Sequence, residues 1–247
     1  MRPTQRFGLS LLLVVAAVAL PAFAFEYPLS STSIRAAYML GSRNDDITTE
    51  FLAHYKHSLP MPKSGPHVAV ISVETPYTQI VQLGQTDMNK DVQGAEKGFA
   101  GKDFPFIVRV GVDLTDTYPG PPPWNPTAPG VPMPNFERDF QIRLVQGKKE
   151  ISAQSTQVYL LYSDVVSNIY QISGAIIELR YDMDKIDSYD DVDVKVHTPD
   201  DQGVETTFEL VNRIWILMAR FFYERQRSVT EPSSGFFTGA PVRRDSR

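Results

Sequence analysis

Glu50, His54 and His57 form the most metal-like group of side chains in this sequence. Their spacing of four and three residues places them on one side of a predicted helix. Imidazole and carboxylate groups arranged in this way can share a Zn²⁺ ion. The order differs from the zinc-protease motif, in which two histidines flank a glutamate, and the sequence shows no further ligand. A polar helix face in contact with water explains the same residues, so both interpretations stay open.

A run of aspartates between two predicted strands could bind calcium. It comprises Asp182, Asp184, Asp187, Asp190, Asp191 and Asp193. Carboxylate oxygens that converge on a loop are the ligands that Ca²⁺ prefers, although the spacing lacks the central glycine and closing glutamate of an EF-hand. Turns beside the solvent side of a strand explain the aspartates equally. Calcium binding by the first four is therefore a hypothesis beside a structural role.

The segment 118–135 carries eight prolines in eighteen residues. This density enforces extended polyproline geometry and removes backbone donors, so the segment is not predicted to form an internal strand. Trp124, with Pro121, Pro122 and Pro123, could dock a protein or glycan partner, because a preformed extended segment loses little entropy on binding. A rigid crossover between two sheets is the other interpretation.

Catalytic motifs are missing from the sequence. It has no cysteine to act as a thiol nucleophile. It contains no Gly-x-Ser-x-Gly elbow, phosphate-binding glycine loop or Ser-x-x-Lys pair. These absences favour a binding or structural role over an enzyme.

Residues 1–24 have the three features of a cleavable secretory signal: basic Arg2 and Arg6, an apolar run over 9–20, and small residues at Ala22 and Ala24. Cleavage would remove two of the 24 basic residues and none of the 29 acidic ones, which leaves a net charge of 22 − 29 = −7. An acidic chain disfavours nucleic acid as a partner. The absence of Asn-x-Ser/Thr acceptors favours a bacterial protein. We therefore expect a protein that is periplasmic or extracellular and folds without disulfides.

Two periodicities divide the rest of the chain. Apolar residues at helical spacing over 31–40 and 46–58 predict a helical hairpin within an N-terminal unit of 25–62. From residue 67 onward, alternation with period two predicts antiparallel strands. These strands cover 68–73, 77–83, 108–114, 140–144, 157–162, 175–181, 192–196 and 204–210. Residues 85–101 are predicted as a loop with one helical turn near 92–97, and 198–203 as a hairpin turn.

Strands without long intervening helices favour two packed antiparallel sheets, and we predict an immunoglobulin-like β-sandwich over 63–225. This unit ends in an amphipathic helix, whose apolar side includes Val211, Ile214 and Trp215. The helix is too short to span a bilayer, so it either covers the core or lies on a membrane surface. Residues 226–247 are predicted to be a disordered basic tail.

Together these features favour a non-catalytic binding or structural interaction module with a protein or glycan partner. Two alternatives stay open. One is a metal-dependent hydrolase that uses Glu50, His54 and His57. The other is a peripheral membrane protein held by its C-terminal helix.

Overall fold

The computed structural model of the chain describes residues 27–86, 91–118, 136–163 and 171–210. Among these, more residues lie in strands than in helices. The α-helices are α1 (Ser31–Arg43), α2 (Asp46–Ala53), α3 (Pro76–Thr86) and α4 (Val92–Phe99). The strands are β1 (Lys56–Ser58), β2 (His67–Glu74), β3 (Phe106–Asp113), β4 (Gln141–Gln146), β5 (Lys149–Ile151), β6 (Ser155–Ser163), β7 (Gln171–Tyr181), β8 (Val192–His197) and β9 (Gly203–Phe208). The predicted signal, the cluster around Trp124, and the C-terminal helix and tail lie outside the described residues.

The strands form two antiparallel sheets, which confirms the predicted mainly-β class. The first sheet has five strands in the order β1-β2-β3-β7-β6, and the second has four in the order β5-β4-β8-β9. The predicted turn at 198–203 joins β8 to β9, and the Thr198 N–H donates to the Gln202 carbonyl across 2.9 Å. Both sheets therefore depend on pairing between strands that run in opposite directions.

Both sheets contribute side chains to one apolar core. Val108 and Val110 on β3 are fully buried, as are Leu144 on β4 and Val194 on β8. Complete burial of one such side chain contributes about 1.5–3 kcal/mol. This core accounts for the stability of a fold that has no disulfide.

The crossing of α1 over α3 is unusually close because each helix has a glycine at the contact. A Cβ atom on Gly41 would lie 1.9 Å from the carbonyl oxygen of Val81. A Cβ atom on Gly84 would lie 2.7 Å from the carbonyl oxygen of Tyr38. Only glycine fits at these two positions, so the helices pack backbone against backbone.

The prediction of one helix over 46–58 is wrong at its C-terminal end. Helix α2 ends at Ala53, and Lys56–Ser58 forms β1 beside β2. The Tyr55 carbonyl accepts a hydrogen bond from the Val73 N–H at 2.9 Å, and the buried Tyr55 ring packs on Phe51. The chain therefore leaves the helix because pairing with the sheet satisfies the backbone after Tyr55.

The prediction of a strand over 77–83 is also wrong, because this segment belongs to α3. The Thr75 hydroxyl caps the helix by accepting from the Thr78 N–H at 3.2 Å. Pro76 occupies the first helical position, where the missing N–H costs nothing. Tyr77, Ile80 and Val81 are buried at helical spacing, so tertiary packing selects the helix.

The predicted loop over 85–101 contains more helix than the single expected turn. Helix α4 covers Val92–Phe99 and is capped by Asp91, which accepts from the Gly94 N–H at 2.6 Å. Strands β1 and β5 were not predicted, since three residues are too few to show a periodicity.

Candidate functional site

The structure separates the three residues of the predicted zinc site. Glu50 lies exposed on α2, His54 follows the end of that helix, and His57 lies on β1. The two histidines line a pocket of about 210 Å³ together with Ala53, Thr207 and Glu209. Because the helix ends at Ala53, the shared helix face that motivated the zinc hypothesis does not exist.

The pocket brings two imidazoles near the C-terminal end of β9. The His57 ring stands edge-on to the ring of Phe208, with ring centres 4.9 Å apart, and this contact joins the two sheets. The Thr207 hydroxyl donates to the Asp193 carboxylate at 2.6 Å. Across the four described ranges, no three His, Asp or Glu side chains are close enough together to hold a metal ion.

Burial raises the pKa of Asp191, and the carboxylates of Glu209, Asp193 and Asp190 raise it further. These groups give the end of the second sheet a local negative potential. The sequence predicted Asp191 and Asp193 only as the solvent side of a strand. It did not predict that Glu209 lies near them, because that proximity depends on the β8–β9 register.

The aspartates proposed for calcium act in turns. Asp182 caps a 3₁₀ helix, Met183–Lys185, by accepting from the Asp184 N–H at 3.1 Å. The side chain of Asp187 accepts from the Tyr189 N–H at 2.9 Å. The described part of the chain contains no metal-ligating group at these residues. The carboxylates of Asp182 and Asp187 thus accept from backbone N–H groups of local turns.

Gln146 fixes this loop from the end of β4. Its amide nitrogen donates to the carbonyls of Asp187 and Asp190, at 2.7 and 3.0 Å. Its amide oxygen accepts from the Asp187 N–H at 2.8 Å. A buried glutamine thus satisfies three backbone groups of the loop, which the sequence pattern did not reveal.

An ionic cluster lies on the face of the first sheet where β2, β3 and β7 carry polar residues. The Glu178 carboxylate is 2% exposed and accepts from the Nε atoms of Arg109 and Arg180, each at 2.8 Å. Arg109 also pairs with the buried Glu74 carboxylate. Burial by itself would raise the pKa of Glu178, but the two guanidinium hydrogen bonds and charges outweigh burial and lower it.

The four charges of this ionic cluster cancel, because two arginines face two glutamates. Arg109 lies directly opposite Glu178, which lies directly opposite Gln157 on β6. The register therefore brings the neutral cluster next to the last strand of the sheet. Sequence reasoning identified the alternation on these strands but not the pairing, since register depends on the whole fold.

Strand β6 is the last strand of the five-stranded sheet, and its outer edge pairs with no other described strand. It is nine residues long and exposed along most of its length. Tyr159, Leu161 and Tyr162 are 48%, 37% and 39% exposed. It is also the only described strand without Asp, Glu, Lys or Arg. Natural sheets usually protect an edge by shortness or charge, and β6 has neither.

The other three sheet edges among the described strands do follow that rule. Strands β1 and β5 have three residues each, with Lys56 on β1 and Lys149 and Glu150 on β5. Strand β9 carries Glu205, which pairs with Lys195 at 2.8 Å. Among the described strands, β6 is thus the one edge strand that is protected by neither shortness nor charge.

Comparison with known proteins leaves the class of protein open. No protein-family model matches the chain, and no curated protein is significantly similar to it. None of the α-helices in the described ranges is long and apolar enough to cross a bilayer.

Proposed function

We propose that this protein is an exported, non-catalytic interaction module that binds a polypeptide along the outer edge of β6. The observation that carries this proposal is the long, uncharged and exposed edge strand Ser155–Ser163. An extended segment can add to such an edge, where backbone hydrogen bonds contribute affinity and alternate side chains contribute specificity. Tyr159 and Leu161 would supply apolar contacts to the added strand.

The size of the edge suits this mode of binding. Nine residues at a rise of about 3.3 Å per residue give an edge of about 30 Å. In an antiparallel ladder, alternate residues direct their backbone N–H and C=O to the same neighbouring strand. About four residues of β6 therefore direct these groups away from β7, toward the outer edge. Because β7 already holds the strand in extended form, an added strand meets a preorganised template.

We also propose that the two sheets pack face to face as an immunoglobulin-like sandwich. The shared core and the contact between His57 on β1 and Phe208 on β9 support the face-to-face arrangement. The architecture carries no activity with it, since sandwiches of this kind serve many unrelated functions. The proposed binding mode depends on the β6 edge and not on the class of sandwich.

Support for export comes from the basic, apolar and small residues of 1–24. Sequencing the N-terminus of the protein recovered from the producing cell tests this part. We expect a chain that begins near Phe25 in the periplasm or the medium. A chain that keeps Met1 and stays in the cytoplasm would contradict export.

Site-directed photo-crosslinking in the native host tests binding at the edge. A photo-reactive phenylalanine analogue replaces Leu161, which is 37% exposed on β6. The matched control carries the analogue at Tyr189, which is 80% exposed and lies in the aspartate loop. We expect a polypeptide adduct from position 161 that position 189 does not give. Equal labelling at both positions would refute the β6 edge as a binding surface.

The pocket with His54 and His57 favours a metal-dependent hydrolase as the second candidate. Elemental analysis of protein purified without chelators discriminates the two. If the protein contains stoichiometric zinc and a variant with both His54→Ala and His57→Ala loses it, the hydrolase is favoured over the interaction module. We expect no such zinc, because no metal-ligating group forms among the described residues.

Two further ligands predicted from the sequence are tested separately. A melting temperature that rises in millimolar Ca²⁺ relative to EDTA would support calcium binding at Asp182, Asp184, Asp187 and Asp190. Cosedimentation with anionic liposomes would support peripheral membrane binding by the segment after residue 210. Neither result is required by binding at the β6 edge.

A further inference from the structure

We propose that the polypeptide bound at the β6 edge is a second copy of this chain, an inference that rests on the proposed function. Two copies of β6 would pair antiparallel about a two-fold axis at Tyr159, the middle residue of Ser155–Ser163. The two five-stranded sheets would then form one continuous sheet across the dimer. This is an isologous contact, in which the same strand serves both subunits.

Charge is the first argument for a second copy. The full chain has a net charge of −5, so two copies repel each other overall. In a two-fold antiparallel pairing a charged residue at or near the axis would lie beside its own copy, and like charges directly opposite destabilise a ladder. Strand β6 is the only described strand that avoids this problem, because it has no charged residue.

The neighbourhood of β6 is neutral as well. The charged side chains that lie next to it on β7 are Glu178 and Arg180, and Glu178 pairs with both Arg180 and Arg109. Arg109 also pairs with Glu74, so the ionic cluster has no net charge. The whole end of the sheet therefore approaches its copy without the repulsion that the acidic chain produces elsewhere.

The order of side chains along β6 is the second argument. In a pairing centred on Tyr159, Gln157 lies opposite Leu161 and Val158 opposite Leu160. The two residues of each pair point to the same face of the sheet, because residues an even number of positions apart on a strand share a face. Val158 and Leu160 are the half-buried residues that pack against the core, so the apolar face continues from one subunit into the other.

At the centre of this pairing, the two Tyr159 side chains lie opposite each other on the face that carries Glu178. Each Tyr159 hydroxyl donates to its own Gln157 amide oxygen at 2.8 Å, which leaves the ring face for a partner. Aromatic pairs across antiparallel strands are among the stabilising cross-strand contacts. A foreign strand would have to supply matching apolar residues, whereas a second copy has them by symmetry.

The test is the mass of the full exported chain across a concentration series, by analytical ultracentrifugation. We expect a dimer that dissociates on dilution. Tyr159→Lys should raise the dissociation constant at least about tenfold, because two lysines meet at the two-fold axis. Tyr159→Glu should do the same. The matched control Tyr189→Lys makes the same change at an exposed tyrosine away from β6 and should leave the dimer intact.

Mixing the two variants excludes misfolding as an explanation. Lysine opposite glutamate is attractive, so equimolar Tyr159→Lys and Tyr159→Glu should form a heterodimer that neither forms alone. A monomer at all concentrations for the unsubstituted chain would overturn the inference. A dimer unaffected by both variants would also overturn it, since that dimer uses another surface.

The photo-crosslink at position 161 separates failure of this inference from failure of the proposed function. An adduct of two copies of this chain supports both. An adduct with a different polypeptide leaves the proposed function standing and overturns the second copy as occupant. An adduct within a single chain, or no adduct above the level from position 189, overturns both.

Discussion

Replacing Glu178 by Gln tests how much the ionic cluster on β2, β3 and β7 contributes to the stability of the first sheet. The Glu178 carboxylate accepts two guanidinium hydrogen bonds at 2.8 Å, from Arg109 and Arg180. Hydrogen bonds to charged groups contribute about 1.5–3 kcal/mol each. The arginines are 35% and 40% exposed, so water replaces part of what they lose. The glutamine amide also keeps one acceptor oxygen. We therefore expect the free energy of unfolding to fall by about 2 kcal/mol.

Urea unfolding followed by circular dichroism measures this loss as a lower midpoint at unchanged slope. For a domain of this size, about 2 kcal/mol corresponds to a fall of about 4–8 °C in melting temperature. Glu205→Gln is the matched control, because Glu205 pairs with Lys195 where both side chains are largely exposed. We expect no measurable change from it. Equal stability of the two variants would refute the role of the buried cluster.

The pH dependence of the same variant checks the sign of the pKa shift. The pKa of Glu178 is lowered in the folded protein. Its stabilising contribution is therefore complete above the unfolded-state value of about 4.3 and is lost as pH falls through the lower folded value. The stability difference between the unsubstituted chain and Glu178→Gln should be constant near neutral pH and shrink below about pH 4. A difference that grows in acid would contradict the hydrogen-bond assignment.

Four further substitutions test the helices and the aspartate loop. Gly41→Ala should prevent stable folding or lower the free energy of unfolding by at least about 3 kcal/mol, because the added Cβ overpacks the helix contact. Gly98→Ala has open space around its Cβ and should stabilise α4 by about 0.5–1 kcal/mol. Thermal melts compare the two variants. Asp45→Ala removes the acceptor at the start of α2 and should lower the free energy of unfolding by about 1 kcal/mol in urea. Gln146→Ala leaves three loop groups without their partner, so hydrogen exchange at the Asp187 amide should accelerate while that of β3 does not.

The strands with clear alternation were predictable because one periodicity fits them. The valines of β3 and β8 occupy every second position, and a helix would scatter them around its surface. The segment 77–83 fits both periods. The four-residue spacing of Tyr77 and Val81 places them on one side of a helix, and it also places them on one face of a strand. Thr75 and Pro76 contain the signal that resolves it, a capping hydroxyl followed by a proline at the first helical position.

The candidate site was less predictable because it depends on which strands are neighbours. Strand β6 was predicted over 157–162, and its lack of charge is visible in the sequence. That it forms an edge follows only from the order β1-β2-β3-β7-β6, which no local pattern encodes. The shared helix face on which the zinc hypothesis was based is absent for a related reason. A three-residue strand ended the helix on which the spacing of His54 and His57 depended.

The ionic cluster and the outer edge of β6 can be distinguished by substitution because Glu178 bonds inward to β3, whereas Tyr159 lies on the last strand of the sheet. Glu178 holds β7 to β3, and this pairing fixes the template along which β6 lies. Tyr159 is about half exposed and lies on the strand with which a partner would pair. Glu178→Gln should therefore lower the free energy of unfolding, and because it leaves one positive charge in each cluster it should weaken the dimer only slightly. Tyr159→Lys should weaken the dimer much more and leave the free energy of unfolding nearly unchanged. If both variants changed both quantities equally, β6 would be part of one cooperative unit with the core, and pairing at its edge would be inseparable from folding.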